Sequence, residues 1–450
     1  MDTPLLDRVV LLTTRVARPP EDDAWLAAHV PRLEDADELW RLADDNRVAP
    51  RVHAELARLG LLGHLPEGVR ERFSTEAARV AEQNRRRLEA AAPILRALVD
   101  RGVDVVALKG AAFAGPLYGD LGYKRMNDVD LLVPQDRIRD VIAVYRDAGL
   151  IAIGERVAKD PERQLRVTHH LPPYVSRDLA CVLGTQWSFR SPLLGHRFDL
   201  DAVRARARPL DLAGVPVRAL GPEDAIHHVA LHLERYKTGA RDLMDLHNLV
   251  AVHRETLDWA LLRREVERAG TEEDVWYALT LAQAHRPFPE VEALLSALSP
   301  RVSPFVRRVA RARTRSTRVL LRTCSRQFAA IEKAVSAFNA TDVFAEKLPR
   351  YLAGWGTIFW PPAEDVRKIV AEPDGGRWSL VTGRARAPVH LLRAIAGEIG
   401  GLLLLGLAVK STFDLAASLL PWRERKDLDA YAASLGLTRA QLTALEEHLQ

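Results

Sequence analysis

The stretch from Val103 to Pro134, V-D-V-V-A-L-K-G-A-A-F-A-G-P-L-Y-G-D-L-G-Y-K-R-M-N-D-V-D-L-L-V-P, constrains this chain more than any other. It opens on a valine-rich apolar run of strand length, Val103 to Leu108, which reads as a strand. The run stops at Lys109-Gly110. An Ala-rich segment follows, Ala111 to Tyr118, then a glycine-rich turn, Gly119 to Gly122. A second apolar run, Val129 to Val133, carries Asp128 and Asp130. Side chains alternate across a strand. Val129, Leu131 and Val133 therefore share one face, and Asp128 and Asp130 project together from the other. Carboxylates side by side repel, and a compensating charge is needed. Mg2+ suits such a place, because it takes oxygen ligands and binds through carboxylates together with substrate phosphates.

The first half of the stretch offers the complementary chemistry. A strand that ends at a glycine before a helix start leaves backbone N–H groups free to meet an anion. Gly110 lets a phosphate come close to the backbone. Lys109, the first lysine in an arginine-rich chain, and Arg125 add positive charge. A phosphate cradle beside paired aspartates is the minimum equipment for metal-assisted phosphoryl or nucleotidyl transfer.

These residues also carry a resemblance. L-K-G (Leu108 to Gly110) followed by R-x-x-D-V-D-L-L-V (Arg125 to Val133) resembles a largely uncharacterised family of nucleotidyltransferases widespread in bacteria, within the DNA polymerase beta-like superfamily. E-L-W-R-L-A-D-D-N-R-V-A-P (Glu38 to Pro50) resembles the helical lead-in of that family, and His170-Leu171-Pro172-Pro173 its His-Leu-Pro-Pro element. The resemblance implies an α+β chain: a polymerase-beta-like nucleotidyltransferase core, a mixed sheet with flanking helices, embedded in largely helical sequence. It implies Asp128 and Asp130 as catalytic ligands of Mg2+ (or Mn2+), with Lys109, Gly110 and Arg125 on the phosphates of an NTP. The reaction would move an NMP to an acceptor, whether small molecule, peptide, protein or RNA, and release pyrophosphate. His170, His232, Arg241 and Asp245 are further candidates for substrate contact, with a structural hydrogen bond or ion pair as the alternative.

One departure from the family pattern matters. A third carboxylate of the metal site usually occurs there as Glu-x-His-Trp, or with Asp for Glu. The matching residues here are Gly184-Thr185-Gln186-Trp187. Asp178, Asp199, Asp201 and His170 are the candidate substitutes, although Asp199 and Asp201 also suit a helix start. The departure motivates a second reading, a degenerate member that binds a nucleotide or a peptide partner without turnover.

With 450 residues the chain is long enough for two or three domains. The expected divisions are an N-terminal helical region (1–100), the core (101–221), a helical domain (222–353) and a mainly helical C-terminal region (354–450). A formal net charge of +4 makes no strong electrostatic case for a nucleic-acid partner. The two cysteines, Cys181 and Cys324, suggest neither a disulfide framework nor a zinc site. The N-terminus lacks a basic region and a sustained apolar run, so a cytoplasmic location is expected. Ile399 to Val409 is strongly apolar but far short of the ~20 residues a membrane-spanning helix needs, and is expected to be a buried helix, with an interfacial contact as the alternative.

Helical patterns fill most of the remainder. Phe73 to Val99 reads as a long helix on which Arg85 to Arg87 form a solvated face. Gln135 to Ala148 is amphipathic, with Gly149 at its C-cap. Leu179 to Phe189 reads as a strand. From Pro222 a helix sets His228 and His232 on one face. Arg301 to Arg322 reads as a cationic amphipathic helix, Gly354 to Pro362 as a loop or aromatic anchor, Pro373 to Gly376 as a turn, and Leu428 to Gln450 as two short helices.

Overall fold

The computed structural model describes residues 5–153, 165–166, 168–233, 240–284, 287–314, 344–361, 366, 377–399, 401–417, 419 and 428–449. Pro373 to Gly376, Cys324 and the Arg301–Arg322 run beyond Thr314 lie outside these residues. The chain divides into two compact units, residues 1–307 and 308–448.

The first unit opens with helices α1 (Leu5–Thr13), α2 (Pro20–His29), α3 (Ala36–Asp45), α4 (Ala49–Arg58) and α5 (Glu67–Asp100). Asp35 caps α3, accepting a hydrogen bond from the Glu38 amide. The α3–α4 break falls at Asn46 to Val48, where Arg47 has φ +55°. The long helix α5 spans the unit and is more than a scaffold. Asn84 donates to the carbonyls of Leu121 (2.7 Å) and Lys124 (2.8 Å) and accepts from the Met126 amide (3.0 Å). Arg87 donates to the Met126 carbonyl. Arg85 and Arg86 are exposed, as a solvated face requires, but Arg87 is 3% exposed. The arginine triplet is therefore not one surface: a one-residue step turns a helix by about 100°, and Arg87 faces inward while its neighbours do not.

The sheet has seven strands in the order β3-β4-β5-β2-β1-β7-β6. They are β1 (Val106–Ala107), β2 (Val129–Leu132), β3 (Ile151–Ala152), β4 (Tyr174–Val175), β5 (Val182–Gln186), β6 (Arg208–Leu212) and β7 (Val215–Ala219). β2 lies antiparallel to β1 and parallel to β5, and β1 is parallel to β7, so the sheet is mixed. The Val103–Leu108 run contributes only two residues to β1. Helix α6 (Lys109–Phe113) follows it directly, and α7 (Ile138–Asp147) ends before Gly149, whose φ is +74°. Helix α8 (Leu200–Arg206) precedes β6, and α9 (Pro222–His232) follows β7.

Both faces of the central strands are covered. Tyr145 of α7 reaches Thr185 of β5 (Oη to Oγ1, 2.6 Å) on one side. On the other, Val106, Leu108, Leu132, Phe189, Val203 and Leu231 form a buried cluster that seats α8 and α9 on the sheet. Helices α10 (Ala240–His253), α11 (Trp259–Ala269), α12 (Glu272–Ala282) and α13 (Pro289–Leu298) complete this part, and α14 (Pro304–Thr314) begins the basic run.

The second unit is helical among its described residues: α15 (Phe344–Phe359), α16 (Arg377–Ile399), α17 (Gly401–Ala417), α18 (Leu428–Ser434) and α19 (Arg439–Leu449). Two expectations change here. Gly354 to Phe359 is not a loop but the last part of α15, held because the buried Trp355 donates to Ser411 Oγ (3.2 Å). Helix α17 is not buried all round: Leu404 and Leu407 are buried, whereas Leu405 and Val409 are exposed. No helix among the described residues is long and apolar enough to cross a membrane.

Candidate active site

Strand pairing brings the two acids together with Gly184. Asp130 of β2 is in register with Gly184 of the parallel neighbour β5. A Cβ built on Gly184 would stand 2.7 Å from Asp130 Oδ1 and 3.3 Å from Asp128 Oδ2. Gly184 thus faces both carboxylates, and the acids already occupy the space a side chain there would enter.

Lys109 reaches the same place from the end of β1, its Nζ 3.1 Å from Asp130 Oδ2. It does so from a left-handed backbone conformation, φ +47°. Such a conformation costs a non-glycine residue about 1 kcal/mol and persists where surrounding structure demands it. Two substitutions separate backbone from side chain. Lys109→Gly and Lys109→Ala both remove the ammonium, but only glycine relieves the strain. We expect the glycine variant to be more stable than the alanine variant by about 1 kcal/mol in chemical denaturation, and equal stabilities would show that position 109 carries no strain.

Burial and the adjacent Asp130 push the Asp128 carboxyl up to about 6, against the opposing fields of Lys109, Arg87 and Arg241. The consequence for stability follows from proton uptake. The unfolded carboxyl titrates near 3.8 and the folded one near 6. Between these values the folded protein holds a proton that the unfolded chain has lost, so stability falls as pH rises through this window. Above it the destabilisation is fully present. Thermal melts without divalent cation should show this decline from pH 4 to 6, and Asp128→Asn should flatten it. An unchanged profile in the variant would assign the decline to other groups.

A cavity of about 210 Å³ opens over this cluster. Eight of the twelve candidates named from sequence line it: Lys109, Gly110, Arg125, Asp128, Asp130, His232, Arg241 and Asp245. They come from four separate parts of the chain, the β1–α6 turn, the approach to β2, α9 and α10. Gly110 makes a close approach, but to protein. A Cβ there would lie 2.9 Å from Met126 Cγ, so glycine is needed to seat Met126 under the cavity wall. Arg125 and Arg241 each keep a buried Nε without a hydrogen-bond partner. Arg241 donates to the Arg125 carbonyl (3.3 Å). Burial, then the neighbouring Arg79, Arg47 and Arg241, holds the Arg125 guanidinium below its usual value. Crowded cations of this kind favour an incoming anion.

Asp245 faces the cavity but is held from behind. It takes a hydrogen bond from Tyr118 Oη (2.8 Å) and an ion pair from Lys124. Asn248 extends the network from Tyr118 (3.2 Å) to the Thr14 carbonyl (2.9 Å). Asp245 thereby anchors the Leu121–Met126 loop, which Asn84 and Arg87 grip from α5.

The remaining candidates do not line the cavity. His170 is exposed, its Nδ1 2.8 Å from the Leu171 carbonyl. Asp178 accepts from Ser176 Oγ (2.5 Å) and the Ala180 amide (3.1 Å) in a surface turn. Asp199 caps α8 through the Ala202 amide (3.0 Å), and Asp201 pairs with Arg204. Among the described residues, no group of three or more His, Cys, Asp or Glu is arranged to hold a metal ion.

Sequence reasoning missed Asn84, Arg87, Lys124 and Tyr118. An Asn beside a run of arginines in a long helix carries no pattern of its own. Its signal is burial, which only packing reveals.

Residues 33–287, more than half of the chain, match a family described as uncharacterised nucleotidyltransferase. The chain belongs to that family. No curated protein and no solved structure gave a match. Every cavity-lining residue named above falls within the matched segment.

Proposed function

We propose that the cavity binds the triphosphate of an NTP and that the protein transfers the NMP to an acceptor, releasing pyrophosphate. The observation that carries this reading is the meeting, in one cavity, of a carboxylate pair with the Lys109–Gly110 turn and two arginines that have buried, unpartnered Nε atoms. The mixed sheet, with its acids on a strand beside the β1–α6 turn, is read here as a polymerase-beta-like core. A cytoplasmic setting goes with this reading, because NTPs are cytoplasmic substrates.

The donor set fits one divalent cation. Asp128 and Asp130 offer adjacent carboxylate oxygens, and Gly184 leaves the neighbouring position without a side chain. Asp128 and Asp130 would hold Mg2+ or Mn2+, which would neutralise phosphate charge and orient the triphosphate. The chain's own residues do the rest. The Lys109 ammonium, paired with Asp130 in this structure, exchanges that partner for phosphate oxygens. Arg125 and Arg241 take up charge on the phosphates and so stabilise the departing pyrophosphate. Tyr118, Lys124 and Asn248 hold Asp245 still and keep the Leu121–Met126 wall in place.

A second reading is binding without turnover, favoured by Gly184, which lacks the carboxylate that helps activate the acceptor. One experiment separates the two. The protein is incubated with each NTP, labelled at the α-phosphate, with Mg2+ or Mn2+ and a panel of acceptors. Label transfer with stoichiometric pyrophosphate release is expected. Tight NTP binding without either product selects the second reading, and no NTP binding rejects both.

A further inference from the structure

Gly184 leaves open what removes the proton from the attacking group. The sheet face that carries the acids also carries Gln186, two residues beyond Gly184 on β5. Gln186 Nε2 lies 2.9 Å from His228 Nε2, and the same His228 nitrogen lies 3.1 Å from His232 Nε2. His228 is fully buried, and its Nδ1 has no partner. His232, one helical turn further along α9, is exposed and lines the cavity with Asp128, Asp130 and Lys109. A hydrogen-bonded chain thus runs from the sheet interior to the candidate active site.

The chain has a direction. The Gln186 amide nitrogen is a donor only. His228 Nε2 must therefore accept, and the proton of the neutral His228 ring sits on Nδ1. Because His228 Nε2 carries the lone pair, His232 Nε2 can approach it at 3.1 Å only as a donor, sharing that single lone pair with the Gln186 amide. That assigns the His232 proton to Nε2 and leaves a lone pair on Nδ1, the nitrogen not engaged by His228. An imidazole oriented through its other nitrogen is the usual form of a general base.

We infer that His232, oriented by His228 and Gln186, is the general base that takes the proton from an acceptor hydroxyl. The inference rests on the transferase reading and narrows it. A phosphate acceptor is already ionised at neutral pH and needs no base, whereas a hydroxyl does. The step balances. His232 Nδ1 takes the hydroxyl proton, the acceptor oxygen bonds to the α-phosphorus, and the bond from that phosphorus to the bridging oxygen breaks. Pyrophosphate leaves with the electron pair, and the imidazolium later returns its proton to solvent. His232 is the catalytic residue, and His228 and Gln186 are positioning residues.

Two measurements on the full chain test this. The first needs no turnover. In protein labelled with 15N-histidine, the His232 signals are those lost in His232→Gln. Nitrogen–proton correlations should show a neutral ring protonated on Nε2. Gln186→Glu replaces the donor by an acceptor, so it should reverse the chain and move the His232 proton to Nδ1. The Nδ1–H form in the unmodified protein, or no change in Gln186→Glu, overturns the inference.

The second is kinetic. His232→Ala should keep its affinity for Mg2+-NTP and lose 100-fold or more in kcat with a hydroxyl acceptor, within the range of about 10²–10⁴ usual for general bases. Added imidazole should restore part of that loss. Unchanged kcat, or a loss that imidazole does not touch, overturns the base. Failure of the transferase reading looks different: the unmodified protein then releases no pyrophosphate with any acceptor, whether or not it binds NTP.

Discussion

Replacing both acids, Asp128→Asn with Asp130→Asn, is expected to abolish Mg2+-dependent NTP binding while the protein remains folded. An amide keeps the shape of the carboxyl but loses the charge that a hard cation needs. No third acid among the described residues stands ready to replace the pair. The fold should not suffer. Burial and mutual repulsion already hold Asp128 near 6, so removing its charge relieves a cost on the order of 1–3 kcal/mol at neutral pH. The Lys109–Asp130 pair is lost in exchange. With the Lys109 side chain 27% exposed, that pair contributes about 1 kcal/mol or less. Melting temperature should hold or rise. Calorimetric titration with Mg2+-NTP provides the readout, and undiminished affinity in the double variant would remove the metal-site reading.

Placing a carboxylate opposite the acid pair, Gly184→Glu, should have an equally large effect, and its sign should depend on metal. A Cβ at position 184 stands 2.7 Å from Asp130 Oδ1. The clash itself is met by rotation of a short side chain. The charge is the greater problem, because a third carboxylate joins two that already repel. Without divalent cation the variant should lose about 2–4 kcal/mol, as unpaired, partly buried charges do. With millimolar Mg2+ or Mn2+ three acids make a better site than two, and most of that loss should return. Paired melts with and without metal test this. A destabilisation that metal leaves untouched would mean that position 184 does not face a cation site.

The element pattern around the acids was legible because it depends on local rules. Alternation along β2 put Asp128 and Asp130 on one face, apolar spacing marked α7, and the glycine after α7 marked its end. Residue chemistry alone also marked Lys109, Gly110 and Arg125 as companions of the acids.

What the tertiary structure decided is who stands next to whom. Strand register set Gly184 against Asp130, and no sequence spacing encodes that pairing. Packing of α9 on the sheet put His228 and His232, four residues apart on one face, into a set of hydrogen-bond contacts that starts at Gln186. Packing of α5 made Arg87 a buried support while Arg85 and Arg86 stayed in water. Local sequence determines which way a side chain leaves its own helix or strand. Whether it meets solvent, a carbonyl or another acid depends on a partner far away in the chain, and only the folded packing supplies that partner.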